Sequence, residues 1–372
     1  MKGMAMKLGQ VISYMDVPLP DVVQGKLARL QTGEQAMDLE TVQAVVERAF
    51  DAPPASLFER FDAQPIAAAS IGQVHRARFA GREVAVKVQY PDVAQSFEDD
   101  LGTITRFASL ASLASAVDGR AIVEELRARL REECDYLREA RYQQAFAARF
   151  AGQPEIVVPE VIADRCAPTV LTTRWCDGAR FEAFCSDATQ PQRDAAAHTL
   201  VRFSYLSLLS LHTIQADPHP GNYLFEARAI AFLDFGCVRV LPADFAAALR
   251  ATIVALRRDD RAAFDEAITA LGLVGNARRF DFAHAYAMMK HLYRPLLAPR
   301  FAFTREYLRE GYQYNGPRSP NARTLSIPPA YVWVARLQWG LWALLARLGA
   351  EGRFAPVLDE ALAAPTCALA AA

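Results

Sequence analysis

The order of polar side chains in residues 216–236 constrains the fold of this chain more than any other feature of its sequence. Asp217 and Asn222 lie five residues apart in a Pro-Gly turn, and Asp234 follows the apolar run that begins at Ile230. An apolar strand can present one carboxylate rigidly at its end, and carboxylate and amide oxygens are the hard ligands that magnesium prefers. The stretch therefore predicts a metal and nucleotide site.

The spacing of these residues matches the requirements of phosphoryl transfer. That chemistry uses one acid near the acceptor, one Asn and one Asp on magnesium, and a Lys farther upstream. Asp217 and Asn222 reproduce the D-x-x-x-x-N spacing of the kinase catalytic loop, although residues 215–216 are Gln-Ala in place of His-Arg. Taken singly, the two segments are typical of a Pro-Gly turn and a strand end. Together with the upstream residues, they favour a functional site.

Residues 65–91 predict a hairpin followed by a strand that bears a lysine. Valines alternate over 84–88 as in a half-buried strand, and residues 80–82 (Ala-Gly-Arg) can form the turn before it. The run V-A-V-K matches the kinase sequence V-A-I-K, whose Lys holds nucleotide phosphates and pairs with a helix Glu. Lys87 is therefore a candidate catalytic residue.

The residues from Ala67 to Val74 fit the register of the kinase phosphate loop, G-x-G-x-x-G-x-V. Ala67 and Ala69 replace the first two glycines, and Gly72 holds the third position. Each added methyl group restricts positive φ and close approach to phosphate, so the sequence predicts a stiffer cover over the nucleotide. A small-residue strand edge is the alternative interpretation. The candidate nucleotide-binding residues of this loop are Ala67, Ala68, Ala69, Ser70, Gly72 and Val74.

Residues 119–150 form a charged segment that predicts one long helix or two. Lys87 requires a carboxylate partner, and Glu133 is favoured over Glu139 for that role. Glu133 and Asp135 do not share a helical face, so they can serve different partners. The other Arg and Glu residues of the segment are typical of a solvated helix face.

Composition limits the class of protein. The chain has 372 residues, a net charge of −1 and 52% hydrophobic residues, which suits one large or two modest soluble domains. The near-neutral balance disfavours a nucleic-acid binder, because phosphate backbones require a concentrated basic surface. No C-x-x-C pair and no secretory signal peptide occur in the sequence, which predicts free thiols and a cytoplasmic protein.

The segment after Gly236 differs from that of a protein kinase. Pro242 follows within six residues, and a helical run begins at Ala243. A protein kinase would place a long activation segment here, ending in A-P-E, to bind peptide. No such segment is visible in the sequence, which argues against an ordinary protein kinase.

Residues 331–348 are the most membrane-like stretch of the chain. A spanning helix needs about 20 largely apolar residues, and Arg336, Gln338 and Arg347 interrupt this one. The pattern predicts a core helix in preference to an interfacial helix with a belt of Trp residues.

Six motifs, taken in order, make the chain resemble the UbiB family of atypical kinases, also called aarF-domain or ABC1-type kinases. They are K-x-G-Q at 7–10, AAASIGQVH, VAVK, E-x-D at 133–135, DPHPGN and DFG, and the resemblance covers about residues 3–360. Taken alone, the N-terminal residues predict only an amphipathic helix. In combination with the alanine-rich loop, K-x-G-Q is highly specific.

The resemblance implies an α+β, atypical protein-kinase-like two-lobed fold. Family-specific N-terminal helices would cover the active site, and the C-terminal lobe would be largely helical. We expect an N-terminal extension at 1–60, a kinase-like N-lobe at 61–178 and a helical C-lobe at 179–372. Within the C-lobe, residues 192–214 predict a helix that leads into the catalytic segment.

The resemblance also implies roles for individual residues. Lys7 and Gln10 of K-x-G-Q would occlude the peptide-binding cleft and reach the nucleotide site. Glu133 of E-x-D would pair with Lys87, and Asp135 is a cofactor-binding candidate. The resulting assignments are Asp217, Lys87 and Glu133 as catalytic residues, Lys87, Lys7, Gln10 and Asp135 as nucleotide-binding residues, and Asn222 and Asp234 as metal ligands.

Members of this family support ubiquinone biosynthesis, associate with membranes, and look like ATPases or small-molecule kinases. The resemblance therefore implies ATP or ADP and Mg²⁺ as cofactors, and an acceptor such as a quinone-precursor lipid. It also implies contact with a biosynthetic complex, in the cytoplasm or peripherally at the inner membrane. A small-metabolite kinase and a nucleotide-gated scaffold with little catalysis are the open alternatives.

Two features depart from the family pattern. The chain begins almost at K-x-G-Q and shows no clear C-terminal transmembrane pair. Arg174 stands near the expected hinge, where relatives often have an acid. These departures concern the mode of membrane association and the surroundings of the adenine ring.

Overall fold

A computed structural model describes residues 37–69, 71–91, 93, 127, 131–314, 319–367 and 369. Lys7, Gln10 and Ser70, together with the predicted N-terminal helix and its cover over the active site, lie outside these residues. The structure divides into two compact units. The sheet unit comprises the described residues up to Gln144 together with Pro159–Trp175, and the helical unit comprises Ala145–Val158 and the described residues from Cys176 onward.

The elements are numbered along the described chain. The helices are α1 (Leu39–Phe50), α2 (Pro54–Leu57), α3 (Tyr136–Arg149), α4 (Phe181–Asp187), α5 (Gln190–Leu209), α6 (Ala243–Arg258), α7 (Arg261–Ala270), α8 (Phe282–Leu297), α9 (Arg305–Tyr312), α10 (Pro329–Leu348) and α11 (Ala355–Ala363). The strands are β1 (Arg60–Ala68), β2 (Gly72–Phe79), β3 (Arg82–Gln89), β4 (Ile156–Val157), β5 (Val170–Arg174), β6 (Thr213–Gln215), β7 (Tyr223–Phe225), β8 (Ile230–Phe232), β9 (Val238–Val240), β10 (Phe301–Ala302) and β11 (Glu351–Gly352).

The sheet unit is built on a four-stranded antiparallel sheet in the order β1-β2-β3-β5. Ala80 and Gly81 join β2 to β3 with φ values of 50° and 73°. A two-residue hairpin turn of this kind requires the left-handed conformation at both central positions. The predicted turn and the strand that bears Lys87 are confirmed.

Helix α1 belongs to the core of the sheet unit. Its N-cap Asp38 accepts a hydrogen bond from Thr41 N at 2.8 Å, which satisfies one of the unpaired N–H groups of the first turn. Three α1 valines pack at helical spacing against alternate valines of β3. The division of the chain at residues 60 and 178 stays a prediction, although α1 and β3 share one core.

The helical unit contains small sheets that position residues 215–222, the candidate catalytic segment. Strands β4, β8 and β7 form one sheet, with β4 parallel to β8, and β6 pairs with antiparallel β9. The helix predicted over 192–214 is too long, because α5 ends at Leu209 and the chain continues as β6. His212, with a φ of 49°, lies at the reversal, and β6 leads directly into Asp217.

Helix α10 is a core helix, as its interrupted apolar pattern predicts. Trp342 is fully buried and donates its Nε1–H to Leu292 O at 3.1 Å. Gln338 is also buried and donates to Tyr205 Oη at 2.8 Å. Among the helices of the described ranges, none combines the length and hydropathy that crossing a bilayer requires.

Candidate active site

Lys87 lies in the middle of the sheet. Its position on β3 pairs with Val74 on β2 and Leu171 on β5, so the backbone is fixed on both sides. Its Nζ donates to both carboxylate oxygens of Glu139 at 2.9 Å each and lies 4.9 Å from the centre of the Tyr136 ring. The Lys87 and Glu139 side chains are 14% and 2% exposed, so solvent screens this ion pair only weakly.

The carboxylate that pairs with Lys87 is that of Glu139, and the prediction of Glu133 is wrong. The charged segment does not continue as one helix, because it turns at Cys134 and starts again as α3. Asp135 caps the new helix, and its Oδ1 accepts the backbone N–H three residues later at 3.0 Å. The contribution of Asp135 to nucleotide binding stays a prediction.

The restart of the helix decides which acid faces the lysine. Glu139 shares the buried face of α3 with Tyr136 and Gln143, because residues three and four apart lie on one side of a helix. Gln89 donates to Cys134 O at 3.0 Å, which ties the end of β3 to the turn before α3. Glu139 is therefore held opposite β3 by the position of the helix start.

The alanine-rich loop is the tip of the β1-β2 hairpin. Ala67 and Ala68 end β1 and pair with β2, and Ala69 N donates to Gly72 O at 2.8 Å. A Cβ atom on Gly72 would lie 2.2 Å from Val88 O, so close packing on β3 alone requires glycine at this position. Contact of the loop and of its β2 neighbour Val74 with a nucleotide stays a prediction.

Two buried polar residues of β2 were missed by the sequence analysis. Gln73 accepts from Met37 N at 2.9 Å and donates to Met37 O at 3.3 Å. His75 Nε2 lies 2.9 Å from Gln73 Nε2, and His75 Nδ1 lies 2.8 Å from Asp62 O. Since a carbonyl oxygen only accepts, Nδ1 carries the proton and Nε2 accepts from Gln73. Burial lowers the pKa of His75, in keeping with a neutral ring. Polar residues at these positions of the G-Q-V-H run were the available signal.

In the helical unit, hydrogen bonds join the catalytic segment to the Asp-Phe-Gly segment. Leu233 N donates to Asn222 O at 2.9 Å, and Gln215 Nε2 donates to Asp234 O. Gln215 is one of the two residues that replace the kinase His-Arg, so this departure from the kinase pattern has a structural role. The residues that the sequence spacing singles out therefore lie on adjoining turns.

Asn222 and Asp234 offer hard oxygen donors that fit magnesium. Asn222 Nδ2 donates to Asp217 O at 3.0 Å, which leaves the amide oxygen as the atom that could bind a metal. Asp234 Oδ1 accepts from Gly236 N at 3.0 Å, which fixes the carboxylate. Across the described residues, no cluster of three or more His, Cys, Asp or Glu side chains is suited to a metal. The pair therefore fits magnesium whose other ligands are phosphate or water oxygens, as is usual for this ion.

Tyr223, which follows Asn222 in the chain, is buried. Burial, followed by the charges of Asp217 and Asp234, raises the pKa of its hydroxyl above the ordinary value.

Asp217 has a partner that the sequence analysis missed. Arg336 of α10, 119 residues away in the chain, donates from Nη2 to Asp217 Oδ1 at 2.6 Å. The Arg336 side chain is 9% exposed, although in the sequence it only interrupts an apolar stretch. A charged side chain within a core helix predicts a buried partner, but the sequence pattern does not identify that partner.

Comparisons with known proteins agree on a kinase-like chain. Residues 29–268 match the family model of the ABC1 atypical kinase-like domain. The chain is similar to a protein named atypical kinase COQ8, mitochondrial, from Saccharomyces cerevisiae, with 28% identity over 372 residues that cover 98% of this chain and 74% of the yeast protein. It is also similar to atypical kinase coq-8, mitochondrial, from Caenorhabditis elegans, with 34% identity over 248 residues, 64% of this chain and 33% of the worm protein.

A solved structure supports the fold over nearly the whole chain. It is the Rv3197–erythromycin complex from Mycobacterium tuberculosis, with a TM-score of 0.76 and 28% identity. The match covers 96% of this chain and 91% of that chain. Together with the family match, it confirms the predicted α+β, protein-kinase-like fold.

Proposed function

Because the chain belongs to the ABC1 atypical kinase-like family, we propose that it binds magnesium-ATP and either hydrolyses it or transfers its terminal phosphoryl group. The observation that carries this proposal is the ion pair between Lys87 and the buried Glu139. A lysine fixed by two hydrogen bonds in the middle of a sheet is a directed positive charge, and kinases use such a charge on nucleotide phosphates. Glu139 orients Lys87 and keeps it charged.

The family resemblance implies the roles of the remaining groups. Asn222 and Asp234 would hold Mg²⁺, which neutralises phosphate charge when bound. Asp217 would orient the acceptor hydroxyl or a water molecule and receive its proton. Electrostatic stabilisation and positioning account for most catalysis of phosphoryl transfer, so the fixed positions of these side chains support the proposal.

The acceptor we propose is a small molecule. Strand β9 occupies the segment after Gly236 and pairs with β6, and α6 begins at Ala243. That leaves little chain for the long peptide-binding segment of protein kinases. A quinone-precursor lipid is the acceptor that the family resemblance favours, and support of isoprenoid-quinone biosynthesis is the corresponding physiological role.

We propose a matching location for this activity. The family resemblance supports peripheral association with an inner membrane and with a quinone-biosynthetic complex. The core position of α10 is compatible with peripheral association, because its buried tryptophan and glutamine are used in internal contacts.

Turnover by the purified full chain tests the proposal. We expect magnesium-dependent release of phosphate from ATP that falls roughly 100-fold in Asp217→Asn, since loss of a catalytic acid or base costs about that much. Magnesium-ATP affinity should be retained in this variant. Asp187→Asn, an exposed acid of the same unit, is the matched control and should retain wild-type turnover. Wild-type protein with no magnesium-dependent turnover, alone or with hydroxylated lipid acceptors, would contradict the proposal.

A further inference from the structure

Helix α10 supports the catalytic segment at two points one helical turn apart. Arg336 donates to Asp217 Oδ1 at 2.6 Å. Gly340 lies so close to Pro218 that a Cβ atom on it would be 2.5 Å from the Pro218 Cγ. Residues four apart lie on the same helix face. One face of α10 therefore packs on the segment that contains Asp217.

Helix α10 is itself fixed within the helical unit. Gln338 and Trp342 are buried, and each donates a hydrogen bond to a neighbouring helix, at 2.8 Å and 3.1 Å respectively. Arg336 is 8% exposed, so its long side chain is packed along most of its length. The guanidinium that contacts Asp217 is therefore held in one place by its surroundings.

The orientation of the Asp217 carboxylate depends on this contact. Asn222 Nδ2 lies 3.0 Å from the backbone oxygen of Asp217 but 3.4 Å from its Oδ2, beyond the usual range of a strong hydrogen bond. The bond from Arg336 is short and charge-assisted, and such bonds are stronger and more directional than neutral ones. Asn222 thus fixes the backbone of Asp217, and Arg336 fixes its carboxylate.

We infer that Arg336 is a positioning residue for Asp217 in the reaction proposed above, on which this inference rests. It holds the carboxylate in the orientation in which Asp217 meets the acceptor hydroxyl or water. Phosphoryl transfer depends mainly on positioning, and a displacement of about 1 Å can cost a factor of 100 in rate. Loss of Arg336 should therefore lower kcat and leave nucleotide binding almost unchanged.

Steady-state ATP turnover of three full-chain variants tests this inference. Arg336→Gln should lower kcat about 10- to 100-fold, with the KM for magnesium-ATP within about twofold of wild type. Arg336→Lys should recover part of the loss, since lysine restores the charge but lacks the planar fork of arginine. The matched control is Arg347→Gln, on the same helix, whose partner Glu182 is on the surface, and it should behave as wild type.

A fourth variant displaces the segment that contains Asp217 without changing a charge. Gly340→Ala forces Pro218 to move and should also lower kcat at constant KM. Thermal midpoints identify variants that fail to fold. If Arg336→Gln does not fold, the kcat values of Arg336→Lys and Gly340→Ala test whether α10 positions Asp217.

The possible outcomes separate the inference from the proposed function. An unchanged or raised kcat in the folded Arg336 variants would overturn the inference while wild-type turnover upholds the proposed function. A matching loss of magnesium-ATP affinity would also overturn it, because Arg336 would then act in nucleotide binding. Wild-type protein without magnesium-dependent turnover would overturn the proposed function and the inference together.

Discussion

The sheet unit and the helical unit hold their candidate functional side chains by different means. In the sheet unit, Lys87 and Glu139 hold each other, and their side chains are only 14% and 2% exposed. In the helical unit, Asn222 and Asp234 are positioned by hydrogen bonds to backbone atoms of their own turns. The first arrangement makes a candidate functional pair part of the core, whereas the second places candidate functional side chains on a separately stabilised scaffold.

This difference predicts how substitutions divide between stability and function. A buried ion pair that loses one partner leaves a charge in a poorly solvated place, which is costly. A ligand on a hydrogen-bonded turn can be replaced by an isosteric amide with little effect on folding. Substitutions of Lys87 or Glu139 should therefore affect both stability and activity, and those of the proposed metal ligands should affect mainly activity.

The largest effect on stability should come from Glu139→Ala. It removes the carboxylate that accepts both hydrogen bonds from Lys87, and loss of one member of a buried pair costs roughly 3 kcal/mol in free energy of unfolding. Denaturant unfolding measures the loss. The control is Glu83→Ala, which removes ion pairs with two half-exposed arginines of the same sheet. It should lower the free energy of unfolding much less. Equal losses would show that the Lys87 pair is not part of the core.

Asp234→Asn should weaken magnesium-ATP binding strongly and change stability little. Magnesium-ATP affinity should fall roughly 100-fold, or about 2.8 kcal/mol at 1.4 kcal/mol per tenfold, because a charged metal ligand becomes neutral. The free energy of unfolding should change by less than about 1 kcal/mol. Calorimetric titration and denaturant unfolding give the two values, with Asp187→Asn as the control. A large stability loss with intact affinity would reverse the contrast between the two units.

A smaller effect is expected from Ala69→Gly at the hairpin tip. Removing the methyl group relaxes the backbone and should change the ratio of ATP to ADP affinity, at a stability cost of no more than about 1 kcal/mol. Ala80→Gly makes the same change at the other end of β2, where φ is 50°, and should leave the affinity ratio unaltered. An identical ratio in wild type and folded Ala69→Gly would show that the loop does not contact phosphate.

The smallest expected effect is a dependence of stability on pH that comes from His75 of β2. The pKa of His75 is lowered by burial in the folded protein, so the unfolded chain binds its proton more readily. The neutral His75 ring therefore contributes stability that is fully present above the ordinary histidine pKa of 6.5. This contribution is lost as the pH falls through the lower pKa of His75 in the folded protein. Unfolding free energies between pH 7.5 and 5.5 should therefore decline more steeply for wild type than for His75→Gln. Parallel curves would mean that His75 is not held neutral by its contacts.

Local chemistry made much of the fold predictable. The Ala80-Gly81 turn and the alternation of β3 are properties of a few neighbouring residues, and both are found as predicted. The spacing of Asp217 and Asn222 is local in the same sense. Such features depend on backbone geometry and residue type over one turn, which a sequence states directly.

The identities of long-range partners could not be predicted in this way. The choice between Glu133 and Glu139 depends on where α3 starts, and that depends on the cap at Asp135. The pairing of Arg336 with Asp217 depends on packing between a helix and a turn 119 residues apart. Hydrophobic periodicity identifies α10 as a core helix. The periodicity does not depend on which residue the single buried arginine of this helix contacts.

The most direct test of the central claim is a calorimetric titration of the full chain with ATP, with and without magnesium. We expect binding to wild type that requires magnesium and that weakens at least about tenfold, or 1.4 kcal/mol, in Lys87→Ala. Lys290→Ala, which removes a lysine paired with Asp259 on the surface of the helical unit, should bind as wild type does. Equal affinity in all three proteins, or no magnesium-dependent binding to wild type, would contradict the account.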